Sequence, residues 1–197
     1  MRTFIAIAGL ILTLIPNSAA QSIDWEDVKT PVRAEQFSRL AETGQTGYAI
    51  GAMQTSAHLN GRSPEQRACI SDLSDLFRDV ALNTPAGTPV ISEAANLTVD
   101  ECPSGSTGTG SPPTVAEMAD LNVRDQSPSL WIGFIVGASD YLHYQAFAAL
   151  GEEKADCLGG SVLSWLGRDI SDPYTWTDDP DILFVELMVE NALVECE

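Results

Sequence analysis

The chain has 197 residues, 28 of them Asp or Glu and 10 Lys or Arg, for a formal net charge of −18. Charge of that sign repels phosphate backbones and anionic headgroups, so nucleic acid and membrane surfaces are excluded as partners, and an electrostatically steered partner is basic. Four cysteines and two histidines, with no C-x-x-C pair and neither His58 nor His143 at ligand spacing from a cysteine, give no metal site, and no cofactor motif is present.

Residues 1–20 combine Arg2, an apolar run from Phe4 to Leu14, Pro16 and the small residues Ser18-Ala19-Ala20. This is the pattern of a secretory signal peptide, since an apolar run of about 12 residues falls short of the roughly 20 that span a bilayer. Its removal takes one base and no acid, leaving 9 bases against 28 acids, or −19. The expected product is an exported protein free of the membrane.

An acidic lead, Asp24-Trp25-Glu26-Asp27, is followed by Thr30-Pro31, which is expected to open a helix interrupted at Gly44. The next helix spans about Thr46 to Leu59 and ends at Asn60-Gly61. Ser71 is read as the cap of a helix carrying Leu73, Leu76, Phe77 and Val80 at helical spacing, broken by Pro85 to Pro89. A helix from about Val90 to Leu97 leads to Cys102. Residues 103–113 carry no apolar side chain outside their prolines and read as a flexible linker. Beyond it come helices over Thr114–Leu121, Leu130–Leu150, Ser161–Ile170 and Asp181–Glu195. No run shows strand alternation.

The two sides of the linker repeat one another. Gly47-Tyr48-Ala49-Ile50-Gly51-Ala52 returns as Gly133-Phe134-Ile135-Val136-Gly137-Ala138, and S-x-L-S-x-L-x-R-D-(V/I) occurs from Ser71 and again from Ser161. The class is therefore all-α, with two tandem copies of a small bundle of about four helices: residues 21–102, then the linker 103–113, then 114–197. Duplication also selects among the three possible cysteine pairings, giving Cys69 with Cys102 and Cys157 with Cys196. Each bridge closes a loop of roughly 34 to 40 residues and stabilises by about 3 to 4 kcal/mol.

Gly47 and Gly51, like Gly133 and Gly137, fall on one helix face, and each costs about 1 kcal/mol relative to Ala inside a helix. Close helix packing across the bare backbone offsets that cost. Asp140, His143 and Tyr144 come nearest to a catalytic constellation, but no nucleophile motif accompanies them and no enzymatic activity is expected. The stretch Ser171 to Asp181 differs, because its counterpart in the first copy has no aromatic or acidic residue. Tyr174 and Trp176 within an acidic rim, Asp178 and Asp179, suit a basic protein partner. The bland reading of the same residues makes Trp176 a plug of the second core and the two acids caps of the last helix.

The second copy resembles the Rap/Tai immunity family of type VI secretion systems in Gly133-Phe134-Ile135-Val136-Gly137-Ala138, Cys157 with Val162 and Leu166, Asp172-Pro173, and Leu183 to Leu193 before Cys196. The first copy matches at Gly47 to Gly51, Cys69 and Cys102. Family members often carry a further cysteine before the glycine motif, where this chain has Gln45-Thr46 and Leu130-Trp131, and they are usually single units. The resemblance implies a periplasmic, non-catalytic protein that occludes a peptidoglycan amidase, here as a tandem member whose copies pack as an internal pseudo-dimer. The alternatives are a periplasmic stress chaperone similar to the HdeA-type acid chaperones and a structural or interaction module of the envelope.

Overall fold

The computed structural model describes residues 31–92, 97, 101–120, 128–168 and 172–197. The expected signal peptide, the Asp24–Asp27 lead, most of the helix expected before Cys102, and Asp169 to Ser171 lie outside these. Eight helices are described: α1 Ala34–Phe37, α2 Glu42–Leu59, α3 Pro64–Ser71, α4 Ser74–Asn83, α5 Val115–Asp120, α6 Pro128–Leu150, α7 Glu152–Leu163 and α8 Phe184–Glu195, with 3-10 turns at Ser164–Gly167 and Pro173–Thr175. Among the described residues there is no β-strand, only two isolated bridges, Arg33 with Pro89 and Thr114 with Leu183. The protein is all-α.

Several expected boundaries move, each for a local reason. Pro31 does not open a helix: Val32 takes Val90 N–H on its carbonyl at 2.9 Å and gives its own N–H to Asp140, so the chain there is extended and α1 starts at Ala34. Gly44 lies inside α2, and Gln45 Nε2 reaches back to the carbonyls of Phe37 and Leu40, tying α1 to α2. Ser71 ends α3 rather than capping α4; its Oγ bonds to Arg67 O and accepts from Gln54 Nε2 at 2.8 Å. α4 restarts behind Leu73 with no side-chain cap, and the capped start is that of α3, where Ser63 exchanges hydrogen bonds with Gln66 behind Pro64. Similarly, α7 begins nine residues before the expected start, after Gly151 at φ 90° and with Glu152 and Glu153 on its positive end, and it stops at Leu163. The last helix starts at Phe184, because Asp179 binds Asp181 N–H in a turn of its own.

Two hydrophobic clusters form the interior. Phe37, Tyr48, Ile70, Phe77 and Ile91 build one, joined by Val136 and Tyr141 of α6; Trp131, Phe134, Leu158, Trp165, Phe184 and Met188 build the other. Rings pack edge to face within each, Phe37 on Tyr48 at 5.4 Å and Trp165 on Phe184 at 5.4 Å. Each such ring stabilises by about 2 to 3 kcal/mol through burial.

Between the clusters, α2 and α6 run in parallel at backbone contact. A Cβ on Gly47 would strike Leu130 O, on Gly51 Phe134 O, on Gly133 Gly44 O and on Gly137 Tyr48 O, all under 3.0 Å. Only glycine permits this approach. The contacts are reciprocal: the tyrosine that follows Gly47 meets Gly137, and the phenylalanine that follows Gly133 meets Gly51.

A second pattern occurs twice. Ala34 N–H binds Thr88 O while Val90 N–H binds Val32 O; Val115 N–H binds Ile182 O while Phe184 N–H binds Pro113 O. In both places the segment before a short helix pairs with the segment before a later one. Disulfides join Cys69 to Cys102 and Cys157 to Cys196, as the repeat required. Residues 103–113 were expected to be a flexible tether, but Gly108 and Gly110 lie on the backbone of α3, and Thr109 N–H binds Asp72 at 2.8 Å.

Candidate interaction surfaces

Asp172 accepts Tyr174 N–H at 3.1 Å and so opens the 3-10 turn that projects the Tyr174 ring. Further along, Thr177 Oγ1 accepts Asp179 N–H, Asp179 accepts Asp181 N–H, and Ala116 N–H of α5 holds Pro180 O at 2.9 Å. The loop backbone is thereby fixed from both sides. Tyr174 is 69% exposed, and Asp172, Asp178, Asp179 and Asp181 are exposed around it. Trp176 turns the other way. Its ring lies 5.2 Å from Trp165 against the second cluster, with the Arg168 guanidinium 5.4 Å from it and 4.2 Å from Trp165. Of the four residues expected to face a partner, the structure gathers Tyr174, Asp178 and Asp179 at the surface and sends Trp176 into the edge of the core. Asp179 braces the loop through Asp181 N–H, and neither acid caps α8, whose N-cap is Leu183.

Asp140, His143 and Tyr144 do not converge. Asp140 is fully buried and accepts Tyr48 O–H at 2.7 Å and Val32 N–H at 2.8 Å on one oxygen, while its other oxygen has no hydrogen-bond partner. Burial pushes its carboxyl up to about 6, against the lowering effect of those two bonds. The same burial, together with the Asp140 charge, raises the Tyr48 hydroxyl well above its ordinary value. His143 pairs with Asp156 at 3.1 Å, and Tyr144 faces outward. Asp140 therefore ties α6 to Val32 and to Tyr48 of α2.

A polar cluster that sequence reasoning missed lies across α2, α3 and α8. Arg67 meets Glu186 at 2.7 Å, and His58 lies 3.6 Å from Glu186 and 3.4 Å from Glu190. Above it, Arg62, Arg67, Gly110, Leu183 and Glu186 line an open cavity of about 490 Å³. An arginine buried in an acidic chain was the available signal, but nothing local placed Arg67 opposite α8.

Phe147 and Leu150 of α6, which the sequence pattern did not single out, are 54% and 61% exposed. Among the described residues no group of three or more His, Cys, Asp or Glu could hold a metal ion, and no helix is long and apolar enough to cross a membrane.

Comparison of the chain with protein-family models, with curated proteins and with solved structures finds no match.

Proposed function

We propose that this is an exported, non-catalytic binding protein for a basic protein, built from two copies of one helical unit packed as an internal pseudo-dimer. The observation that carries the binding role is the braced loop at 172–181, where an exposed tyrosine shares the loop with four exposed aspartates in a chain of net charge −18. A rigid aromatic in a charged rim loses little entropy on docking and steers an oppositely charged partner. The reciprocal glycine contacts and the twice-used hydrogen-bond pattern support the two-copy reading. Two disulfides suit folding in an oxidising compartment. The Rap/Tai resemblance then makes a peptidoglycan amidase the partner class, occluded at its active site in the periplasm.

The test is inhibition. A basic type VI amidase titrated with the mature oxidised protein should lose activity at one-to-one stoichiometry, and Tyr174→Ala should weaken that by at least tenfold. Activity unaffected at a hundredfold excess would remove the amidase, and undiminished inhibition by the variant would remove the loop.

The acid-chaperone alternative requires opening at low pH. Asp140 argues the other way, because its raised carboxyl makes proton uptake favour the folded state, and both disulfides resist wide unfolding.

A further inference from the structure

The last two turns of α6 carry exposed apolar side chains beside buried ones. Leu142 and Ala146 are buried in the second cluster, whereas Tyr144, Phe147 and Leu150 are 39%, 54% and 61% exposed, with Leu150 about 40° around the helix from Ala146 and the Phe147 ring stacked on His143 at 6.1 Å. At 3.6 residues per turn the exposed trio spans roughly 120° of the helix, the width of a face that normally meets another element. No element of this chain covers it among the described residues. α2 covers only the Tyr141 side of α6: Ser56 meets Tyr141 at 2.8 Å, and α2 ends three residues later at Leu59, while α6 continues nine residues to Leu150. The projecting end turns sharply at Gly151 into α7, whose first turn is Glu152 and Glu153.

Charge decides what can sit there. From residue 125 to residue 167 the only Lys or Arg is Lys154, and its ammonium is held by the carbonyl of Cys196. Glu152, Glu153 and Asp156 are exposed, and Glu197 lies beside Lys154 at the same end. A second copy of this chain would bring the same acids against them, so like charge opposes self-association. An opposite charge is favoured.

We infer that the corner between α6 and α7 is a docking surface for a basic protein that lays an apolar helix face on Tyr144, Phe147 and Leu150 and sets Lys or Arg against Glu152 and Glu153. This surface is distinct from the Tyr174 loop and stands whether or not that loop binds an amidase.

The experiment uses the full oxidised protein and a 16-residue amphipathic helical peptide with Leu on one face and Lys elsewhere, titrated by calorimetry at several salt concentrations. Saturable one-to-one binding is expected, weakening as salt rises. It should fall at least tenfold in Phe147→Ser/Leu150→Ser and about as much in Glu152→Lys/Glu153→Lys, which leaves the apolar stripe intact. Near-UV circular dichroism checks that each variant is folded. Equal binding by the serine variant, or by a peptide with Glu in place of Lys, would overturn the inference. So would the absence of binding at millimolar peptide, or a concentration-dependent dimer that the serine variant abolishes.

Discussion

After the shared S-x-L-S the two halves part company. In the first, α4 continues for ten residues and ends at Asn83; in the second, the same motif yields only the 3-10 turn Ser164–Gly167. Four residues into the restart the first half has Phe77, fully buried against Phe37 and Tyr48 at 6.4 and 6.0 Å, where the second has Gly167 with nothing around it. The ring missing at Gly167 is supplied from further along by Trp176, which folds back on Trp165. The following arginine adapts to each setting: Arg78 pairs with Glu42 and Asp75, Arg168 with Glu195 while lying over Trp165. One local motif restarts a helix in both places, and the demand of the core decides how far the helix runs. The turn left free by the shorter helix is where the exposed loop of the second half is built.

That comparison rests on a centre common to both halves, and the harshest test strikes it there. Gly51→Leu and Gly137→Leu drive a side chain into the opposing carbonyls, and each should cost at least about 4 kcal/mol in urea denaturation. If one were tolerated and the other not, the halves would not share the interface equally.

Next in size is the ring at the divergence. Phe77→Ala should cost about 3 to 4 kcal/mol and lower the helical circular dichroism as α4 frays, since nothing else in the first half replaces that ring. Trp176→Ala should cost less, the ring being only half-buried. An equal or larger loss at Trp176 would reverse the account of which half depends on which ring.

The smallest effect concerns the junction and depends on pH. Asp140 binds its proton more tightly folded, at about 6, than at the ordinary 3.8. Between these values the folded state holds more protons, so the contribution of Asp140 to stability is greatest below 3.8 and falls as pH rises through about 6. The difference approaches roughly 3 kcal/mol. Asp140→Asn cannot ionise; its stability relative to the unchanged protein should therefore increase by about that amount between pH 4 and pH 7, measured by chemical denaturation at each pH. A pH-independent difference would show that the carboxyl titrates normally.

The helical class, the cysteine pairing and the glycine faces were legible because each follows from a rule of spacing: no two-residue alternation, cysteines in matching order, glycines four apart. Boundaries were less legible where a single cap decided them. Ser63-Pro64-Glu65-Gln66 is a capping box with proline at the first helical position and opens α3, whereas α4 restarts behind Leu73 with no side-chain cap, so the nearby Ser71 resembled its start. The early start of α7 places Gly159-Gly160, both poor helix formers, inside the helix; a Cβ on Gly159 would lie 3.3 Å from His143 and Ser139 of α6. Within the loop at 171–181, composition showed that aromatics and acids were together but not which ring turned inward, since that depends on Trp165 and Arg168 from an earlier element. Phe147 and Leu150 continue an apolar run, and their exposure depends on where the neighbouring helices pack, which no local pattern shows.

The four glycines of α2 and α6 have one more consequence. Each is opposed by main chain, which no substitution elsewhere can trim. A large side chain facing a large side chain can be accommodated by shrinking its neighbour, but a carbonyl offers no smaller alternative. Compensating double changes are therefore closed at these positions while they remain open throughout both clusters. In a saturation library, Gly47, Gly51, Gly133 and Gly137 should be intolerant in every genetic background, and the rest of the two halves free to drift apart around them.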